Sequence, residues 1–141
     1  MASMNVGRVV AGGLVAGLVI NISEFVLNEP ILGEKWKEAM EAMNMQEVGT
    51  GAIGFFIVTS FVLGLLTVWM YAAMRPRLGA GPKSAMIAGL FVWLLYYGLV
   101  NVGIGLMGVF SFDLLGIVLG WSIVEMSIAA VIGCAIYKEA A

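Results

Sequence analysis

The sequence predicts an all-α protein: an integral membrane four-helix bundle, one domain over residues 1–141, with a short amphipathic helix in the first extracytoplasmic loop. Three observations carry that prediction. The chain is 62% hydrophobic and only 11% charged, where soluble domains carry about 25% charged residues, so its solvent must be mostly lipid. Its apolar residues fall into four stretches, each long enough to cross a hydrocarbon core of about 30 Å. Backbone in lipid must satisfy its own hydrogen bonds, which selects helices over open strands.

The first span, about 8–28, contains Ser23 and Glu24 and runs into Asn28-Glu29-Pro30. It lacks a small-residue cleavage signal and is expected to remain as an uncleaved span. In the outer loop, 29–50, Trp36, Met40 and Met43 recur at helical spacing among Glu34, Lys35, Lys37, Glu38 and Glu41. This pattern predicts an amphipathic helix resting on lipid headgroups, with a lid or a partner contact as alternatives. The second span, about 52–74, precedes Arg75-Pro76-Arg77-Leu78-Gly79-Ala80-Gly81-Pro82, a turn by composition. The third span, about 84–107, is joined through the tight connection 108–112 to the fourth, about 113–137, so the two form a hairpin. Asp113 stands where a cap for the last helix is needed. Arg8, the Arg75, Arg77 and Lys83 group, and Lys138 mark one side, whereas Lys35 and Lys37 share their loop with five glutamates. Basic residues mark the cytoplasmic side, so both termini and the 75–83 loop are expected inside.

Composition also excludes chemistry. There is no histidine and one cysteine, Cys134, in an apolar run. Haem ligation by histidine, most zinc or copper sites, iron–sulfur clusters and an intrachain disulfide all fail on that count, and neither cofactor nor metal is expected. A net charge of −2 without a basic patch argues against nucleic acid as a partner.

Ionisable groups inside spans are costly and tend to be functional, and there are two, Glu24 and Glu125. On the first helix Gly13, Gly17, Asn21, Glu24 and Asn28 share a face. On the third, Gly89, Trp93, Tyr97, Asn101 and Gly105 recur every four residues. On the fourth, Gly116, Gly120 and Ser122 lead to Glu125. The pairs Gly13/Gly17 and Gly116/Gly120 let helix backbones approach closely, so these faces are expected to pack and to turn their polar groups inward. At a rise of about 1.5 Å per residue, Glu24 lies about 24 Å beyond Arg8, Asn101 about 27 Å beyond Lys83, and Glu125 about 20 Å before Lys138. One polar cluster is therefore expected in the middle to outer membrane: Glu24, Glu125, Asn21, Asn101, Trp93, Tyr97, Trp121 and Ser122. Two readings of it stay open. The carboxyls fix helix register as protonated or hydrogen-bonded groups, or they hold a cation or proton, with aromatic faces adding cation–π attraction.

Met4-Asn5-Val6-Gly7-Arg8, Asn21-Ile22-Ser23-Glu24-Phe25 and Tyr71-Ala72-Ala73-Met74-Arg75-Pro76-Arg77 resemble an uncharacterised group of small bacterial four-span membrane proteins. The resemblance implies a multi-pass protein of a bacterial plasma membrane and carries no assigned chemistry. A looser likeness, to small multidrug-type transporters with a glutamate in the first span, departs in the second glutamate, the long outer loop and the placement of positive charge. No nucleophile–base pair or metal-ligand spacing points to an enzyme. The expected function is a non-catalytic membrane component, a homo-oligomer or accessory subunit of a larger complex. The alternative is a small proton- or cation-coupled transporter using Glu24 and Glu125, with an organic cation or a proton as ligand.

Overall fold

In the computed structural model, which describes residues 3–140, six α-helices make four membrane-length rods. α1 (Val6–Val26) continues without a break into a π turn (Leu27–Ile31). α2 (Gly33–Ala42) is short, and α3 (Thr50–Leu78) is the longest helix. α4 (Pro82–Trp93) passes through a second π turn (Leu94–Gly98) into α5 (Leu99–Leu106), which joins it in one rod, and α6 (Phe112–Ile136) completes the bundle. The four rods, Val6–Ile31, Thr50–Leu78, Pro82–Leu106 and Phe112–Ile136, are long and apolar enough to cross a membrane. α1 packs along α3 and α6, and α4 packs along the same two helices, so the rods close into a ring of neighbours. Large apolar side chains such as Phe25, Phe55, Phe56 and Leu99 point outward on every rod, as a lipid-facing surface requires.

Local chemistry sets the helix ends. Asn5 caps α1 by accepting the Arg8 N–H at 3.1 Å. The cap of α6 is Ser111, whose hydroxyl accepts the Leu114 N–H at 3.3 Å, and Asp113 instead sits in the first turn. That position corrects the capping role expected of Asp113; its charge there complements the positive end of the helix dipole. The predicted turn 75–82 is also shorter than its composition suggests. α3 runs through Pro76 to Leu78, because a proline in the last turn removes a single donor and its fixed φ is already helical. Gly79, at φ +82°, ends the helix by adopting a left-handed conformation that a side chain would oppose.

Helices approach where side chains are absent. A Cβ at Gly13 would lie 2.7 Å from the Cα of Leu65, one at Gly17 2.7 Å from the Cα of Phe61, and one at Gly64 would strike the Gly13 carbonyl. α1 and α3 thus cross backbone to backbone. Gly12 meets the Gly133 carbonyl in the same way and closes α1 on α6, while Gly89 lies against Met126 and Ala130 to close α4 on α6. In lipid, where no hydrophobic force draws helices together, this close packing supplies much of the association. Gly116 and Gly120 do not take part. Nothing lies within 4 Å of a Cβ at either position, which corrects the expectation that they pack inside the bundle. The buried face of α6 instead runs through Leu115, Val118, Ser122, Glu125, Met126, Ala129, Ala130 and Gly133. The face carrying Gly116 and Gly120 points outward.

Substitutions separate the two glycine classes. Gly64→Val forces α1 and α3 apart and is expected to destabilise the bundle by about 1–3 kcal/mol or more. Gly116→Ala is expected to be neutral or stabilising by up to about 1 kcal/mol, since alanine suits a helix better than glycine. Unfolding of both variants in a mild detergent checks the pair.

Candidate functional site

Three helices bring two carboxyls to one hydroxyl. Glu24 comes from α1, Glu125 from α6, and Tyr97 stands between them on the second π turn. The Tyr97 hydroxyl donates to Oε1 of Glu24 at 2.6 Å and lies 3.2 Å from Oε1 of Glu125. The other oxygen of Glu24 accepts from Nδ2 of Asn28 at 2.6 Å. Asn28 in turn accepts, through Oδ1, the indole N–H of Trp36 at 2.9 Å. A continuous chain of hydrogen bonds therefore runs from α2 through Trp36, Asn28, Glu24 and Tyr97 to Glu125.

Both residues that touch Glu24 occupy π turns, and each turn has a local cause. Pro30 has no N–H and would clash with the preceding turn of a regular helix. Widening the turn lets the Leu32 N–H reach the Leu27 carbonyl at 2.8 Å. In the second turn the Leu99 N–H bonds to the Leu94 carbonyl. A four-residue repeat drifts by about 40° per step around a regular helix. The extra residue of a π turn offsets that drift and keeps Trp93 and Tyr97 facing α6. Such turns recur at functional sites for this reason. Pro30 was the only sequence signal for the first turn, and the second had none that periodicity could detect.

Two indole clasps flank the carboxyls. Trp93 donates to the Ser122 hydroxyl at 2.9 Å and holds α4 to α6. Trp121 donates to the Ser23 hydroxyl at 2.9 Å and holds α6 to α1. Asn21 and Asn101, expected in the cluster, bond elsewhere. Asn21 donates to the Gly17 carbonyl at 3.0 Å and to the Ile57 carbonyl at 3.3 Å, tying α1 to α3. Asn101 donates to the Tyr97 carbonyl at 2.8 Å and braces the π turn on its own helix. Ser23, Asn28 and Trp36 take their places in the network. The α2 helix also differs from the expectation of a segment resting on headgroups. Trp36, Ala39, Met40 and Met43 are half-buried on its inner side, and Trp36 packs edge-on against Phe110 with ring centroids 5.3 Å apart. Its apolar stripe faces the protein and not away from it.

The two acids differ in how they are held. Glu24 has a donor on each oxygen, as an ionised carboxylate wants. Glu125 is 4% exposed, and its Oε2 is buried without a hydrogen-bond partner. Tyr97 has one hydroxyl hydrogen and directs it at Glu24, so two ionised carboxyls would leave a phenol lone pair facing Glu125. Among the described residues neither carboxyl makes an ion pair; the pair that forms, Arg75 with Glu139 at 3.9 Å, includes neither of them. A proton on Glu125, or a cation beside it, removes the conflict. A shallow, open apolar depression lies on the outer face of α6 beside this carboxyl, lined by Ile117, Gly120, Trp121, Val124 and Ile128 with Ser23 from α1.

A family model described as protein of unknown function (DUF1761) matches residues 9–134. The chain belongs to this family. The match takes in Glu24, Asn28, Trp36, Tyr97 and Glu125, and its uncharacterised status agrees with the resemblance read from the sequence. No curated protein and no solved structure matches this DUF1761 chain.

Two substitutions test whether the hydrogen-bond chain links α2 to the core in this DUF1761 member. Tyr97→Phe keeps the ring and deletes the shared hydrogen; it is expected to lower unfolding free energy by about 1–3 kcal/mol. Trp36→Phe removes the donor to Asn28 and is expected to change global stability by no more than about 1 kcal/mol while raising amide hydrogen exchange in α2. Exchange measured by mass spectrometry, alongside unfolding in detergent, checks both.

Proposed function

We propose that this protein is a small, non-catalytic proton- or cation-coupled transporter whose exchange site is Glu24, Tyr97 and Glu125. The observation that carries this reading is the buried Oε2 of Glu125, which has no hydrogen-bond partner although a second carboxyl shares the Tyr97 hydroxyl, and no ion pair forms with either acid among the described residues. A register-fixing pair would be expected to satisfy all its oxygens, because an orphan polar atom in a low-dielectric interior costs about 1–3 kcal/mol. The ligand is a proton or an organic cation, and the surrounding partner is membrane lipid. Arg8, Arg75, Arg77, Lys83 and Lys138 all lie at one end of the bundle or beside it. That distribution supports an orientation with both termini in the cytoplasm, and the membrane we propose is the bacterial inner membrane that the sequence resemblance implies.

A second reading, a homo-oligomer or accessory subunit, is favoured by Gly116 and Gly120, which present a bare four-residue step on the outer face of α6. It predicts that Gly116→Leu shifts the oligomeric state in mild detergent, measured by light scattering, with no effect on cation binding.

Thermal-shift titration of wild type, Glu24→Gln and Glu125→Gln with organic cations at several pH values tests the transporter. A cation that takes the place of one proton binds more tightly as pH rises, by up to about tenfold per pH unit. Stabilisation by cation should therefore grow with pH in wild type and vanish in Glu125→Gln. If neither cation nor pH shifts wild type, and both variants are simply less stable, the carboxyls are structural and the proposal fails.

A further inference from the structure

We propose that α2 is a gate, latched by Trp36, and that its opening admits water along the bundle axis to Asn28 and Glu24. The inference rests on the reading of Glu24 as part of an exchange site and adds the route by which that site is reached. The latch itself can be measured apart from what is exchanged. Leu32, 1% exposed, anchors the chain before α2, and Ser60, 6% exposed, anchors it again within α3. No described residue between these two is buried. The stretch comprises α2, residues 45–49 outside regular structure, and the first turns of α3, where every residue from Thr50 to Val58 is exposed.

One side chain holds this long excursion down. Trp36 donates to Oδ1 of Asn28 at 2.9 Å and packs edge-on against Phe110, with ring centroids 5.3 Å apart. Among the described residues no other α2 side chain makes a hydrogen bond, and Glu34, Lys35, Lys37, Glu38 and Glu41 form no ion pair. A segment with so few buried contacts opens at low cost and independently of the core. Opening breaks the two contacts of one indole and spares the glycine crossings, which lie further down α1 at Gly12, Gly13 and Gly17. The latch also stands where an entrance would be. Asn28 is one helical turn above Glu24 on α1 and covers its Oε2 at 2.6 Å, and the indole covers Asn28 in turn. Lifting α2 therefore uncovers the amide and the carboxyl beneath it from the end of the bundle.

Carbodiimide labelling of the purified protein in lipid nanodiscs, read peptide by peptide by mass spectrometry at one pH, tests the gate. Two probes are compared: a water-soluble carbodiimide with an added amine, and dicyclohexylcarbodiimide, which partitions into lipid. Glu29, exposed beside the π turn, serves as the internal reference. Trp36→Ala should speed labelling of Glu24 by the water-soluble probe about tenfold or more, the loss of a hydrogen bond and an aromatic contact. Labelling by the lipid-soluble probe should not follow it. Trp36→Phe, which keeps the ring without the N–H, should fall between wild type and Trp36→Ala, and Lys35→Ala on the exposed face should match wild type. Phe110→Ala loosens the same indole from outside α2 and should also speed labelling, so the test stands even if Trp36→Ala loses its fold. Equal labelling of Glu24 by the water-soluble probe in all these proteins overturns the gate. A rise confined to the lipid-soluble probe places the route within the membrane and overturns it too. If labelling follows Trp36 while neither pH nor cation shifts the thermal stability of wild type, the gate stands and the exchange reading fails. If that titration succeeds and labelling ignores Trp36, the exchange site stands and the gate is wrong.

Discussion

Two carboxyl groups meet at one phenolic hydroxyl, neither of them paired with a lysine or arginine among the described residues, and the surrounding helices are tied together around that meeting point. Glu24 is satisfied on both oxygens and Glu125 on one, so the two acids are chemically unequal although both lie within the spans. Their inequality arises from backbone geometry. Asn28 and Tyr97, which both bond Glu24, each lie on a widened turn, and the two indole clasps fix the helices on either side. Close glycine crossings toward the other end of the bundle hold α1 against α3 and α6. The packed end positions the helices, and the polar end uses that positioning.

Much of the architecture was legible in the sequence, because bilayer thickness turns apolar run length into a count of spans. Glu24 and Glu125 were legible for the same reason, as the only carboxylates deep within those runs. Tyr97, Trp93, Trp121 and Ser122 followed from helical spacing. Asn21 and Asn101 did not, since an amide can bond its own helix four residues back, which spares Asn101 a tertiary partner and leaves Asn21 to reach a backbone carbonyl of α3. The glycines failed in a related way. Gly13 and Gly17 face α3, whereas Gly116 and Gly120 face outward with identical spacing. A step of small residues shows that a close approach is feasible, and the direction of that approach depends on which neighbours the loops bring alongside. The π turns escaped because a single added residue changes hydrogen-bond partners without disturbing hydropathy.

The α2 segment extends the network beyond the spans. Its indole N–H starts the chain that ends at Glu125, so a change in the hydrogen-bonding state of Glu24 alters what Asn28 can offer Trp36. Asn28 presents its NH₂ to an acceptor on Glu24; a hydrogen on that carboxyl oxygen would oppose the arrangement and favour rotation of the amide. Rotation would replace the acceptor facing Trp36 with a donor. The seating of α2 and the hydrogen bonding of Glu24 thereby meet at a single side-chain amide.

The placement of the indoles has an optical consequence. Of the four tryptophans, Trp36, Trp93 and Trp121 each spend their N–H on a partner in or beside the carboxyl network. Trp69 lies apart on α3, half-exposed on the outer surface. Ultraviolet emission from this molecule is therefore weighted toward its chemical centre. A single replacement of Trp69 would leave a native fluorophore set confined to indoles that are hydrogen-bonded in or beside the carboxyl network, with no attached dye.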